Sequence, residues 1–270
     1  MVNAKRPTKK IAGVSPVRRV VLLGASNLTR GISTVVETAR LQAGGPIEVL
    51  AALGHGRSYG LESSVLGRAL PGICGCGLWE ALKKESAAPT VALVTDIGND
   101  LLYGASVDQI VDWVRRCLDR LGQADAQVVI TLLPVANLDA LSPVAFRLMR
   151  TMLFPASRLA PEDARRQAAQ LNKRLIRMAR QRGIIAIEPQ RDWYGLDPIH
   201  VKFSCSTRAW THILTSWERP NEICPSVTRS MRRWLYLRLL APEYRRLFGI
   251  QQRRAQPSGR LSDGSTVSLF

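Results

Sequence analysis

Short apolar runs alternate with helical patterns along most of this chain, and that alternation confines it to few folds. The runs lie at 20–23, 47–53, 91–95, 128–133 and 184–187. Helical spacing covers 28–43, where Ile32, Val35, Val36 and Ala39 share a face, and stops at Gly44-Gly45-Pro46. It returns at 107–121, with Ile110, Val111, Val114, Cys117 and Leu118 aligned, and at 161–182, opened by Pro161-Glu162-Asp163. Shorter helices are expected over 78–84 and 207–217. Strand and helix in turn favour an α/β fold with a parallel sheet. With 270 residues, 46% of them hydrophobic, the chain can bury a sizeable core.

Charge divides the chain differently. The formal net charge is +17. Residues 1–20 hold Lys5, Arg6, Lys9, Lys10, Arg18 and Arg19 and no acid, and residues 225–270 hold nine arginines against Glu243 and Asp263. The middle is not far from neutral. The expected division is a basic mobile tail at 1–17, a catalytic domain at 18–220, a basic helical extension packed on it at 221–250, and a second mobile tail at 251–270. Basic ends suit nucleic acid, an acidic partner or an anionic membrane, or are solvated tails. No zinc-ligand spacing or aromatic RNP-like run accompanies the charge, so nucleic acid is not indicated. Within 227–240 a helical face holds Val227, Met231, Trp234, Leu235 and Leu239, with Arg229, Arg232 and Arg233 on another. Such a helix docks on the body through Trp234 or lies on a membrane surface.

Five cysteines, Cys74, Cys76, Cys117, Cys205 and Cys224, have no regular spacing, which argues against a disulfide framework and suits a reducing compartment. The apolar run after the basic N-terminus is too short for a signal peptide, and no segment approaches a transmembrane span. A cytoplasmic protein is expected.

The chemistry gathers after the strands. Ligands of open parallel sheets bind beyond the carboxyl ends of their strands. Ser26 follows the first strand, the glycine-rich loop Gly54-His55-Gly56-Arg57-Ser58-Tyr59-Gly60 the second, Gly98-Asn99-Asp100 the third, and Asp197-Pro198-Ile199-His200 the fifth. A serine nucleophile needs a base, and the base needs an orienting carboxylate. His200 suits the base and Asp197 the carboxylate. Oxyanion donors would be the Ser26 backbone N–H, an N–H of the glycine loop and the Asn99 amide. Ser26 alone could equally cap a helix or open an anion site. His55 lies where it could touch substrate, and His212 reads as structural. The apolar stretch 141–154 could cover the site as an acyl-binding lid or be a helix that never meets substrate.

Taken together, these blocks resemble the SGNH (GDSL-like) hydrolases, over about residues 18–217. Gly24-Ala25-Ser26-Asn27-Leu28-Thr29-Arg30-Gly31 resembles the family's Gly-Asp-Ser-Leu block with its downstream glycine. Ile97-Gly98-Asn99-Asp100 resembles Gly-x-Asn-Asp, and Asp197-Pro198-Ile199-His200 matches Asp-x-x-His. The resemblance implies a flavodoxin-like three-layer α/β/α sandwich on a parallel five-stranded sheet. It implies ester or thioester hydrolysis on Ser26, with no metal or other cofactor and with a small-molecule or acyl-ester substrate. Gly54 is the expected oxyanion glycine, with Gly56 the runner-up. Ala25 and Ile97 depart from the family pattern. That leaves a second reading: a catalytically impaired relative that binds nucleic acid, an acidic partner or a membrane through its basic ends.

Overall fold

The computed structural model describes residues 15–154, 157–195, 197–217 and 227–270, without the side chains of Met149, Met152 and Leu153. Most of the N-terminal basic tail, and Cys224, lie outside the described residues. Strand β1 (Arg18–Leu23) leads into helix α1 (Ser26–Ala43), which ends where Gly44 turns left-handed at φ 66°, and β2 (Ile47–Ala52) follows. A small hairpin, β3 (Ser63–Val65) and β4 (Arg68–Leu70), and helix α2 (Leu78–Leu82) precede β5 (Thr90–Val94). The chain continues through α3 (Asn99–Leu102), α4 (Val107–Gln123) and β6 (Gln127–Thr131). Ser106 and Gln109 form a reciprocal capping box that starts α4. Next come α5 (Val135–Asp139), α6 (Pro143–Leu153), α7 (Pro161–Gln181) and β7 (Ile185–Ile187). The last part holds α8 (Ser206–Thr215), α9 (Met231–Leu239), β8 (Tyr244–Leu247), β9 (Ile250–Arg253), β10 (Gly259–Arg260) and β11 (Thr266–Leu269).

The main sheet runs β10-β11-β2-β1-β5-β6-β7. Its pairings are parallel except β10 on β11. Side chains alternate across it, which makes three layers. Val21 and Leu23 face Ile110 and Val114 of α4 and Leu171 and Leu175 of α7. Val20 and Leu22 face Val35 and Val36 of α1 and Trp210 and Ile213 of α8. Both faces are covered, so the strands read as continuous apolar runs. Gly31 lets α1 and α8 meet, since a Cβ there would lie 2.0 Å from Trp210 Nε1.

The five expected strands form the flavodoxin-like order β2-β1-β5-β6-β7, but the sheet is larger. Residues 251–270 are not a mobile tail. Val267 and Leu269 are buried, and β11 extends the sheet beside β2. The Ser265 hydroxyl accepts a hydrogen bond from the Ile47 N–H at 3.0 Å, which fixes the start of that pairing. Residues 244–253 form a hairpin that joins β3 and β4 in a second, antiparallel sheet.

Helix α9 packs on the body, but through a different face from the one expected. Leu237 is buried, whereas Met231, Leu235 and Leu239 are exposed. Arg233, one turn before Leu237, turns inward to Glu37 of α1 at 3.2 Å. Glu37 is 8% exposed and also holds Arg40. A buried carboxylate needs paired charge more than an interior needs another apolar side chain, so the arginine wins the inner face. Among the described residues no helix is long and apolar enough to cross a membrane.

Candidate active site

The chain leaves β1 for β2 on one side and returns to β5 on the other. That reversal opens a crevice at the carboxyl ends of β1 and β5. Ser26 stands there as the first residue of α1. Its Oγ lies 2.9 Å from His200 Nε2, and His200 Nδ1 lies 2.6 Å from Asp197 Oδ2. The other oxygen, Asp197 Oδ1, accepts the N–H groups of Ile199 and His200 at 3.1 and 3.2 Å. One carboxylate thus folds its own loop and orients the imidazole. The hydrogen bonds from His200 and the loop hold the Asp197 carboxyl below the usual carboxylate range, against the opposing effect of burial, the largest single influence.

Two residues that sequence reasoning passed over hold this arrangement. Asp96, at the end of β5, has a left-handed φ of 58°. Its Oδ2 accepts the N–H groups of Ala25 and Leu28 at 2.8 and 3.1 Å, and its Oδ1 accepts Asn27 Nδ2 at 2.9 Å. Ala25 cannot cap α1 with its own side chain, and Asp96 does so from a neighbouring strand. Asn27 then reaches the histidine loop. It donates to the Ile199 carbonyl at 2.8 Å and accepts the Val201 N–H at 2.9 Å. The only sequence signal was position, an Asp and an Asn directly beside strand ends.

The Ser26 and Gly54 N–H groups have no hydrogen-bond acceptor among the described residues, and Ser26 lines the crevice. Gly54 itself is buried, and Gly56 rather than Gly54 lines the cleft with Ser26 and Asn99. Gly56 has φ 63° and its carbonyl accepts Tyr103 Oη at 2.6 Å. Asn99 lines both spaces that Ser26 opens onto. Ile97 is buried and lines the wall together with Gly98 and Asn99. Behind Asn99, the Asp100 carboxylate is fully buried and accepts the Ser58 hydroxyl and the Tyr59 N–H, so it braces the glycine loop. Burial pushes its pKa up to about 6.

One of the two spaces beside Ser26 is an apolar cavity of about 100 Å³. Leu138 of α5 and Phe146 of α6 roof it, and Leu133, Trp193 and Ile213 are among its walls. The 141–154 stretch therefore does meet the site. The other space is an open cleft shared with His55, Arg68, Phe154 and His200. His212 is exposed and packs edge-on against Trp193, as a structural residue. Cys74 and Cys117 are free, with their sulfurs 3.5 Å apart.

Known structures are similar to this chain in shape. An aryl esterase from M. smegmatis aligns at a TM-score of 0.50 with 12% identity, covering 74% of this chain and 97% of that one. A carbohydrate acetylesterase family member from Sinorhizobium meliloti gives 0.49 with 12% identity, over 74% and 96%. A GDSL-like lipase from Bacteroides thetaiotaomicron gives 0.48 with 12% identity, over 79% and 91%. No protein-family model and no curated protein matches the sequence. The likeness to the aryl esterase establishes the fold alone, a mostly parallel sheet between helical layers.

Proposed function

We propose that the chain is a serine esterase that forms an acyl-enzyme on Ser26. The observation that carries this reading is the unbroken hydrogen-bond chain Ser26–His200–Asp197 at the sheet's switch point. Asp197 keeps the proton on His200 Nδ1, which leaves Nε2 free to accept the Ser26 proton as Oγ attacks the ester carbonyl. The N–H groups of Ser26 and the glycine loop, with the Asn99 amide, receive the developing oxyanion. His200 then passes the proton to the departing alcohol, and water repeats the cycle to release the acid.

The apolar cavity is the acyl site in this reading. At about 100 Å³ the cavity suits a short acyl group rather than a long chain. An aryl ester, the substrate class in the name of the similar M. smegmatis structure, is compatible with the open cleft on the other side. A fluorophosphonate probe with mass mapping of the modified peptide tests the nucleophile. The expected result is labelling at Ser26 that is lost in His200→Ala. A folded protein that stays unlabelled overturns the proposal.

A further inference from the structure

Ser26 faces two spaces, and His200 lines only one of them. The apolar cavity is walled without His200, whereas the cleft is walled by His200 together with His55, Gly56, Val65, Leu66 and Arg68. A general acid must reach the oxygen that departs. On the serine-esterase reading above, the alcohol half of the substrate therefore occupies the cleft.

The chemistry of that cleft is one-sided. No carboxylate lines it among the described residues. The Arg68 side chain is half-buried, and among the described residues it makes no hydrogen bond or ion pair. Its Nη2 lies 3.6 Å from the position a Cβ would take on Gly54, so the guanidinium stands against the loop beside the nucleophile. Its charged neighbours have the same sign. Burial first, and then Arg245 and Arg238, push its pKa down. The same field reaches His55, which burial and then Arg238, Arg68, His200 and Arg30 push down to about 4. His55 is thus neutral at neutral pH and remains a hydrogen-bonding wall. A partly desolvated guanidinium among like charges, without a counter-ion, is unfavourable until an anion arrives.

We infer that the cleft binds an alcohol moiety carrying an anionic group, a carboxylate or a phosphate, and that Arg68 is its principal contact. Arg68 is then a specificity-determining residue. The guanidinium fork matches both anions in two-point geometry through charge-assisted bonds.

Butyrate esters of matched phenols test this in the full chain. One carries a 4-carbamoyl group, neutral and nearly isosteric with the second, a 4-carboxylate, and the third carries a 4-phosphate. The wild type is expected to favour an anionic ester over the neutral one in kcat/KM by about tenfold to a hundredfold. The ratio between the two anionic esters identifies which anion is preferred. The preference should collapse toward parity in Arg68→Gln and survive in part in Arg68→Lys. Parity in the wild type, or the same preference in Arg68→Gln, overturns the assignment. If no ester is hydrolysed and Ser26 stays unlabelled, the esterase reading falls by itself. Calorimetric titration of 4-hydroxybenzoate and of inorganic phosphate then decides the cleft alone. Binding lost in Arg68→Gln supports the anion site, and no binding to the wild type overturns it.

Discussion

Replacing Asp96 by asparagine leaves shape almost unchanged and should still disable the site. The native side chain accepts three hydrogen bonds, from the N–H groups of Ala25 and Leu28 and from the Asn27 amide. An asparagine has one acceptor oxygen. Turned toward Ala25 and Leu28, it keeps those two bonds in weaker, uncharged form and points its NH₂ at the NH₂ of Asn27. Asn27 cannot flip to relieve that contact, because its own two ends are engaged by the Ile199 carbonyl and the Val201 N–H. Hydrogen bonds to charged groups contribute about 1.5–3 kcal/mol each, and losing one while weakening two gives about 2–4 kcal/mol of lost stability. The kinetic loss follows from position, since Asn27 ties the Ser26 turn to the His200 loop. A displacement of about 1 Å in a catalytic group costs on the order of a hundredfold in rate. Urea unfolding gives the first quantity, and the rate of fluorophosphonate labelling of Ser26 gives the second. Adding Asn27→Asp restores an acceptor for the introduced amide but opposes the Ile199 carbonyl, so the double variant should recover stability more than labelling rate. If Asp96→Asn unfolds and labels like the wild type, the bridge from β5 to the two loops is not what positions the nucleophile.

Other consequences can be measured separately. Burial raises the Asp100 carboxyl to about 6 in the folded protein, against about 3.9 unfolded. Its favourable contribution is therefore full below about pH 4 and is lost as pH rises through about 6, about 2–3 kcal/mol in all. Wild-type stability should fall by that amount relative to Asp100→Asn between about pH 4 and 7, and a flat difference would refute it. His55 has the opposite sign, its contribution being present above pH 6.5 and lost as pH falls through about 4, so the comparison must be made against the Asp100 variant. Gly31→Val places a side chain where Trp210 Nε1 already lies and should cost about 1–3 kcal/mol in thermal or denaturant unfolding. Val267→Asp puts a carboxylate into the buried edge between β11 and β2 and should leave the chain largely insoluble on expression, read by the soluble fraction.

What could be read from the sequence follows a physical division. Strands buried on both faces announce themselves as apolar runs, and each candidate site residue was visible because it lay in the segment that follows one. Ser26 and His200 could be named from that position, but nothing local says that two loops 174 residues apart will touch. The roles of Asp96 and Asn27 exist only across that gap, and each looks alone like an ordinary turn residue. The last strand hid for another reason. Thr266-Val267-Ser268-Leu269 is short and half polar, and its place in the sheet is fixed by backbone pairing with β2 and by the bonds of its neighbour Ser265 to Ile47 and Asp263 rather than by a long hydrophobic run. Helix α9 offered an apolar face and a basic one. The choice between them was made by Glu37, a buried acid on another helix.

The position of β11 also sets a schedule for the newborn chain. Every other strand of the main sheet except its antiparallel partner is synthesised well before it, yet it is the parallel neighbour of β2. Until it emerges, Ile47-Glu48-Val49-Leu50-Ala51-Ala52 presents an open, nearly uncharged strand edge, the kind of surface that recruits strands from other molecules. The most hazardous interval in folding is then the one between the appearance of β2 and the docking of β11, and anything that delays that docking prolongs it.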